Sequence, residues 1–188
     1  MKTIGILALQ GDTLEHFNAL RKIKNIKPTF IKTNKQLSQK LHGLIIPGGE
    51  STVIGKMMKK YKLDLAIKDK YKTKKMGIYG TCAGCILIAK QVDSEYSLKL
   101  IDIQVQRNAY GRQAESFMTD LNSSLFKIKG IFIRAPKIIK TLNSEVNVLA
   151  KHNDEPVLVQ QNNILAGTFH PELTDKVQIH QYFVDHCC

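Results

Sequence analysis

The amino-acid sequence predicts an α/β protein with an open, mostly parallel sheet and helices on both of its faces. Short apolar runs alternate with segments of helical character through the first half of the chain, and this alternation favours parallel βαβ units. The first run is apolar on both faces, as in a central strand that is covered on both sides. Glycine-containing motifs follow three of the runs, at the strand ends where such sheets bind ligands.

Four strands and the helices between them are predicted in the first half. The strands cover residues 3–9, 29–32, 43–46 and 76–79. Helices are predicted at residues 14–23, at residues 34–40, through a lysine-rich stretch to residue 75, and over residues 85–90. Asp12 or Thr13 can cap the first of these helices.

From about residue 98 the pattern changes to short strands, and we expect antiparallel pairs among them. These strands are predicted at residues 100–105, ending within 131–136, and at 147–151, 156–161 and 164–169. Asn162 and Asn163 have the composition of a hairpin turn between the last two strands. A final helix is predicted over residues 175–185.

The motif that organises the chain is Gly80-Thr81-Cys82-Ala83-Gly84, between a predicted strand and a predicted helix. A nucleophile flanked by small residues at this junction is typical of a nucleophile elbow, whose sharp turn leaves no room for side chains at the glycines. We expect Cys82 to be exposed at the tip of the turn, where the helix amides favour its thiolate. The amide of Ala83 would point to a developing oxyanion.

Two other interpretations of this stretch stay open at this point. Cys82 and Cys85 form a Cys-x-x-Cys pair, which between a strand and a helix is also the pattern of a thioredoxin-like redox site. Alternatively, Cys85 is simply a small buried residue on the inner face of the helix.

Length and composition limit the class of protein. A chain of 188 residues is suited to one domain, residues 1–188, with one substantial core. Four cysteines are too few for a disulfide scaffold, so a reducing, cytoplasmic setting is expected. The N-terminal apolar run lacks the length and cleavage site of a signal peptide, and no run is long enough to span a membrane.

The formal net charge of +12 raises the question of an acidic partner such as nucleic acid. Only four of the 28 basic residues are arginines, and the lysines are spread along the chain. The lysine clusters carry no interleaved stacking aromatics. A solvated lysine-rich surface is therefore the favoured interpretation, and nucleic acid is not an expected partner.

A cysteine nucleophile needs a base, and the base needs a group that orients it. Among six histidines, His170 stands out because it ends a predicted strand and could reach the edge that carries Cys82. Glu172 lies two residues further on, and Pro171 stiffens the turn between them. This spacing lets the carboxylate fold back on the imidazole and fix its tautomer.

Six motifs, in order, resemble those of a known family. They are Leu7-Ala8-Leu9-Gln10-Gly11 with Glu15-His16, Pro47-Gly48-Gly49-Glu50-Ser51-Thr52, Gly80-Thr81-Cys82-Ala83-Gly84, Arg107-Asn108 with Gly111-Arg112-Gln113, Phe132-Ile133-Arg134-Ala135-Pro136, and Phe169-His170-Pro171-Glu172-Leu173-Thr174. Together they resemble the triad glutamine amidotransferases, and within them the glutaminase subunits of pyridoxal 5′-phosphate synthase. The resemblance covers residues 4 to about 184.

The resemblance implies a flavodoxin-like, three-layer α/β/α fold with a mixed sheet, and an enzyme that hydrolyses the side-chain amide of L-glutamine. Cys82 would be the nucleophile, and His170 and Glu172 its relay partners. The expected glutamine-binding residues are Gly48, Gly49, Glu50, Ser51, Arg107, Ile133 and Arg134. From the residues themselves, amides of Gly49 and Ala83 could donate to the oxyanion. Gln10 and Gly11, at the end of the first predicted strand, are expected to lie near enough to sense a docked partner.

The implied partner is a (β/α)8-barrel synthase that builds pyridoxal phosphate with the released ammonia, in a hetero-oligomer, with no metal and no cofactor on this chain. The resemblance weakens the redox interpretation, because an aliphatic residue is also common at the position of Cys85. Two alternatives remain. One is a glutaminase that serves another ammonia-using synthase, and the other is a basic module that binds nucleic acid.

Overall fold

The computed structural model describes residues 1–93, 96–107 and 116–188. The first half contains β1 (Lys2–Leu7), α1 (Thr13–Arg21), β2 (Ile26–Ile31), α2 (Asn34–Leu37), β3 (Gly43–Ile46), α3 (Ser51–Lys60), α4 (Leu63–Lys74), β4 (Gly77–Thr81) and α5 (Ala83–Ile88). The second half contains β5 (Ala89–Val92), β6 (Ile101–Gln106), β7 (Phe117–Ser123), β8 (Ile128–Phe132), β9 (Lys137–Thr141), β10 (Asn147–His152), β11 (Glu155–Gln161), β12 (Ile164–Gly167), a 3₁₀ turn (Pro171–Leu173) and α6 (Gln178–Cys187).

The central sheet has the strand order β2-β1-β3-β4-β12-β11-β10-β7-β8. The strands from β2 to β12 are parallel, and their order matches the 2-1-3-4-5 order of flavodoxin-like sheets. The strands beyond β12 pair antiparallel. A second, three-stranded sheet has the order β5-β6-β9. The predicted α/β class with its mixed sheet is confirmed.

Consecutive residues of the central strands contribute to the cores on opposite faces of the sheet. In β3, Leu44 and Ile46 belong to a buried cluster with residues of α3, α4 and α5, whereas Ile45 belongs to a second cluster with residues of α1 and α6. A slip of one residue would exchange the two faces, so the packing fixes the register. The two helical layers that complete the three-layer fold are therefore these two groups of helices.

The fixed register brings the carboxyl ends of β3, β4 and β12 to one edge. Ile46 pairs with Gly80, and Thr81 pairs with Gly167. The segments that follow these strands therefore leave the sheet side by side. This edge carries the candidate site.

The structure corrects several predicted boundaries. The helix predicted over residues 85–90 ends at Ile88, because Ala89 is extended and pairs with Ile101 in the second sheet. The last strand ends at Gly167 rather than at residue 169, and the final helix begins at Gln178. The hairpin turn at Asn162 is confirmed, with a φ of 51°.

The sequence did not predict β5, β7 or β9, in which polar and apolar residues are mixed and form no continuous apolar face. The motif residues 108 and 111–113 lie outside the described residues. No helix in the described part of the chain combines the length and the apolar character that a membrane crossing requires.

Candidate active site

Cys82 lies at a sharp turn between β4 and α5, as the elbow motif predicted. Its backbone has a φ of 47° and a ψ of −105°, a conformation that costs energy for a residue with a side chain and is typical of functional sites. The turn is fixed from both sides, because the amide of Cys82 donates to the carbonyl of Gly167 at 2.9 Å and its own carbonyl accepts from the amide of Cys85 at 3.1 Å.

The glycines of the elbow are required by close backbone contacts. A Cβ atom at Gly80 would lie 2.5 Å from the carbonyl oxygen of Gly84. At Gly84 a Cβ would lie 1.9 Å from the carbonyl oxygen of Ile46, on the neighbouring strand β3. The predicted collision is therefore confirmed, and at Gly84 it arises from the sheet rather than from the elbow itself.

The expected exposure of Cys82 is wrong. Only 6% of the residue is accessible, and its Sγ lies 3.9 Å from the carbonyl oxygen of Ile133, to which the thiol can donate. The segment that follows β8 therefore covers the nucleophile. Cys85 is fully buried on the inner face of α5, and burial raises the pKa of its thiol far above the ordinary range. This setting fits the structural interpretation of Cys85.

A cavity of about 460 Å³ opens at the carboxyl ends of the parallel strands. Among the described residues, its walls are formed by Asp12, Gly49, Glu50, Ser51, Cys82, Ala83, Ile86, Arg107, Ile133, Arg134, His170 and Leu173. The cavity thus brings together most of the predicted site residues. The others, Gln10, Gly11, Gly48 and Glu172, lie behind its walls, each against a residue of the lining.

His170 and Glu172 adopt the predicted arrangement after β12. Nδ1 of His170 is 2.8 Å from Oε1 of Glu172, and both side chains are almost fully buried. The backbone amide of His170 donates to the carbonyl of Ile131 at 2.8 Å, which holds the turn against β8. The imidazole is therefore oriented by a carboxylate, as a catalytic base requires.

Asp12 is a site residue that the sequence analysis missed. It stands at the N-cap position of α1 but makes no side-chain cap bond, because its Oδ2 lies 3.2 Å from Nδ1 of His170. Burial lowers the pKa of His170, but interactions with Asp12, the Cys82 thiol and Glu172 outweigh it and raise that pKa to about 12. The charged imidazolium is thus the favoured form beside the nucleophile.

Gly48 makes this arrangement possible. A Cβ at this position would lie 2.5 Å from Cε1 of His170 and 2.7 Å from Oδ2 of Asp12. Its carbonyl accepts from the amide of Asp12 at 3.2 Å. Gly48 is therefore a packing requirement behind the imidazole rather than part of the cavity wall.

Glu50 and Arg107 form an ion pair on one wall of the cavity. Nη2 of Arg107 is 3.2 Å from Oε1 of Glu50. The same carboxylate caps α3 by accepting from the amides of Thr52 and Val53 at 3.1 and 2.7 Å. Burial raises the pKa of Glu50, but the Val53 and Thr52 amides and then Arg107 outweigh it and lower that pKa below its usual value. The pair is therefore charged in the resting site.

The loops after β1 and β3 lie directly against each other. Gln10 Oε1 accepts from the amide of Glu50 at 2.8 Å. Gly11 and Gly49 have φ values of 98° and 145°, and a Cβ at Gly11 would lie 1.7 Å from the carbonyl oxygen of Gly48. Two loops that the sequence placed at one edge are thus in backbone contact.

Two buried histidines behind the triad were also missed. His16 on α1 and His180 on α6 are fully buried, and the sequence analysis did not single out either of them as a candidate base. His16 Nε2 lies 3.6 Å from Oε2 of Glu172. The Glu15-His16 motif carried the only sequence signal for this contact.

The donor atoms of Asp12, His170 and Glu172 lie within 4.8 Å of one another, which is close enough for a metal-ligand set. The imidazole nitrogen instead faces both carboxylates at hydrogen-bond distance. This is the geometry of a donor shared by two acceptors, so we assign no metal to the three residues. The absence of a metal and of a cofactor stays a prediction.

Comparison with known proteins identifies the family, because residues 6–188 match the SNO glutamine amidotransferase family. The chain belongs to this family. It is 48% identical to the pyridoxal 5′-phosphate synthase subunit PdxT of Pseudothermotoga lettingae, over 97% of this chain and 94% of the relative. It is 42% identical to the PdxT subunit of Thermus thermophilus, over 97% of this chain and 96% of the relative.

Solved structures agree with the family assignment. A crystal structure described as a glutamine amidotransferase superposes with a TM-score of 0.91 at 40% identity, over 98% of each chain. The fold also resembles a chain in the structure of PurLQS from Thermotoga maritima, with a TM-score of 0.71 at 15% identity, over 98% of this chain and 97% of that one. The latter likeness concerns the fold alone.

Proposed function

We propose that this chain hydrolyses L-glutamine to L-glutamate and ammonia with Cys82 as nucleophile, His170 as acid and base, and Glu172 as the group that orients His170. The observation that carries the proposal is the 2.8 Å contact between His170 Nδ1 and Glu172 Oε1, at the wall of the same cavity as the elbow cysteine. Membership of a glutamine amidotransferase family supplies the substrate class.

The reaction follows from these positions. The thiolate of Cys82 attacks the side-chain amide carbon of glutamine, a C–S bond forms, and negative charge gathers on the amide oxygen. Amides of Gly49 and Ala83 are the proposed donors to that oxygen. As the C–N bond breaks, the His170 imidazolium gives its proton to the leaving nitrogen, and ammonia departs. Water then adds to the thioester, His170 takes a proton from it, and breakage of the C–S bond releases glutamate.

Glu50, Arg107, Ile133 and Arg134 are the proposed recognition residues. A guanidinium suits the α-carboxylate of glutamine, because its planar fork can make paired hydrogen bonds. The α-ammonium suits a carboxylate or backbone carbonyls, which Glu50 and Ile133 offer at the cavity wall. Gly48 lies in the loop that precedes Glu50, and Ser51 is the first residue of α3, which Glu50 caps.

The ammonia is proposed to serve pyridoxal 5′-phosphate synthesis, because the curated relatives are PdxT subunits of that synthase. Ammonia released into water at neutral pH is mostly protonated, and ammonium is not a nucleophile. A synthase partner, which we propose to be a (β/α)8 barrel, would therefore sit over this site in a hetero-oligomer. Four free cysteines fit a reducing compartment, and the cytoplasm is the proposed location.

Glutamate release from glutamine, with and without the pyridoxal 5′-phosphate synthase partner of the same organism, tests the proposal. We expect hydrolysis that depends on Cys82 and that rises when the synthase is present. The same assay with synthases of other ammonia-using pathways would separate the alternative partners. If duplex nucleic acid bound tightly at physiological salt while glutamine stayed intact, the basic-module alternative would replace this proposal.

A further inference from the structure

A pair of buried histidines lies behind the proposed triad, away from the substrate cavity. Nδ1 of His16 is 2.9 Å from Nε2 of His180, and both residues are fully buried. They belong to α1 and α6, the two helices that cover this face of the sheet. The proposed reaction uses neither of them, although burying two imidazoles carries a desolvation cost that needs compensation.

The second nitrogen of His16 faces both halves of the triad. Its Nε2 lies 3.0 Å from Oγ1 of Thr81, the residue immediately before Cys82, and 3.6 Å from Oε2 of Glu172. Oε2 is the carboxylate oxygen that His170 does not use, and it has no hydrogen-bond partner among the described residues. His16 thus lies between the end of β4, which leads into Cys82, and the turn that contains His170 and Glu172.

The contacts decide which nitrogens carry the protons. At the contact between the rings, one nitrogen must donate and the other accept. If His16 Nδ1 donated, the lone pair of its Nε2 would face the carboxylate, and the proton on Nδ1 of His180 would have no partner among the described residues. A buried N–H without a partner is rarer than a buried acceptor without one.

The reverse arrangement avoids both the lone pair that faces the carboxylate and the N–H without a partner. Nε2–H of His180 donates to Nδ1 of His16, and Nε2–H of His16 donates to Oγ1 of Thr81. The positive hydrogen end of that His16 N–H also faces the carboxylate of Glu172. His180 then leaves only a lone pair at Nδ1. Burial keeps both rings neutral, because it lowers the pKa of His180 to about 4 and that of His16 well below 6.5. Repulsion that a protonated His16 would meet from protonated His180 or His170 lowers the pKa of His16 further. The histidine pair therefore presents an N–H dipole, rather than a positive charge, to the carboxylate of Glu172.

We propose that His16, held in one tautomer by His180, is a positioning residue that fixes Glu172 and the Cys82 elbow relative to each other. This inference rests on the proposed function of the triad. In a site from which water is excluded, a fixed N–H beside the carboxylate favours its ionised form. Glu172 then keeps Oε1 on the imidazole of His170, while the bond to Thr81 holds the end of β4.

A pH profile can separate this role from simple packing. The titratable groups that face Glu172 are His170 from its own turn, Asp12 at the N-cap of α1, His16 within α1, and Tyr79 from β4. Burial already raises the pKa of Glu172. Removing the N–H of His16 should raise it further, so Glu172 would become protonated, and activity would fail, at a higher pH.

The test compares His16→Leu with His16→Gln in the full chain, assayed for glutamate release together with the synthase partner. The Gln side chain can place an amide N–H near the position of Nε2, whereas Leu cannot. Leu20→Ala is the control, because Leu20 is buried on the same helix and in the same core but makes no polar contact with the triad. Turnover and the Michaelis constant are measured across about pH 5 to 9.

For His16→Leu we expect the turnover number near neutral pH to fall about tenfold with little change in the Michaelis constant, and the acid limb to move up by about one pH unit. His16→Gln should restore the position of the limb, and Leu20→Ala should leave it in place. A lower rate for His16→Leu with an unmoved acid limb would overturn the inference and leave His16 as a packing residue.

Nitrogen-15 shifts of the histidine rings in the wild-type chain keep the inference testable if His16→Leu does not fold. We expect both His16 and His180 to be neutral at pH 7, with the proton on Nε2 in each. A proton on Nδ1 of His16 would overturn the inference. This measurement needs no activity, so a chain that hydrolyses no glutamine would refute the proposed function without deciding the tautomer.

Discussion

The side-chain oxygen of Gln10 accepts a 2.8 Å hydrogen bond from the backbone amide of Glu50. This bond joins the loop after β1 to the loop after β3, at the edge where the cavity opens. Gln10 is exposed, whereas the loop it holds contributes Gly49 and Glu50 to the cavity wall. A partner that touched Gln10 would therefore act on the proposed oxyanion hole through a single contact.

The first prediction concerns activation by such a partner. The Gly48 carbonyl accepts from the amide of Asp12, so the N–H of Gly49, which belongs to the same planar peptide, points away from Asp12. A peptide between two glycines can turn over at little steric cost. When such a peptide turns its carbonyl rather than its N–H towards the oxyanion, one donor is lost, which typically costs about 10²–10³ in rate. We expect the isolated chain to be a slow glutaminase, and the synthase to raise its turnover number more than it lowers the Michaelis constant.

Gly49→Ala should blunt this activation without preventing assembly, because Gly49 has a φ of 145° and a Cβ there would lie 2.5 Å from Oε1 of Gln10. Gly55→Ala is the matched control, since a Cβ at that helical position meets nothing closer than 3.4 Å. Steady-state kinetics with and without synthase, with sedimentation to monitor assembly, make the comparison. Equal turnover of the wild-type chain alone and in complex would refute the idea.

The second prediction concerns the two cysteines of the elbow helix. Cys82→Ser should abolish hydrolysis while leaving glutamine binding largely intact, because a neutral hydroxyl is a far weaker nucleophile than a thiolate. Cys85→Ala should keep activity and lose only some stability, because Cys85 is fully buried and away from the cavity wall. Glutamate release and calorimetric binding provide the measurement. Activity that survived Cys82→Ala but not Cys85→Ala would reverse the assignment.

The parts of the site that were predictable from sequence are those encoded in local motifs. The elbow at Cys82 and the pair formed by His170 and Glu172 each lie within a few consecutive residues, so spacing and turn chemistry were enough to find them. Their convergence followed from the parallel sheet, whose strands end at one edge.

The parts that were missed depend on contacts between distant segments. Asp12 was predicted only as a helix cap, because nothing local shows that His170 will compete for its carboxylate. His16 lies in an amphipathic helix, where a buried histidine gives the same pattern as any core residue. Strands β5, β7 and β9 mix polar and apolar residues and are partly exposed, so their pairing partners rather than their own sequences determine them.

The third prediction concerns substrate recognition. Arg107→Lys should raise the Michaelis constant for glutamine strongly although it keeps the positive charge, because a planar fork is replaced by a point donor. It should also weaken the contact with Glu50. Arg21→Lys at the end of α1, remote from the cavity lining, is the control and should change nothing measurable. Equal effects at the two positions would remove the case for a substrate-binding arginine.

The last prediction concerns acid stability and rests on His180. Its pKa is about 4 in the folded chain because of burial, and about 6.5 in an unfolded chain. Below pH 6.5 the unfolded chain therefore binds a proton that the folded chain excludes, so stability falls as the pH drops from 6.5 towards 4. The full shift corresponds to about 3 kcal/mol of unfolding free energy, and the lowered pKa of His16 acts in the same direction.

In His180→Gln this site no longer ionises, so the variant should lose less stability than the wild type between about pH 7 and 4.5, even if it is less stable at neutral pH. His186→Gln, at an exposed position of the same helix, should keep the wild-type dependence. Urea unfolding at a series of pH values measures the difference, and parallel curves for the wild type and His180→Gln would show that His180 is not held neutral in the folded chain.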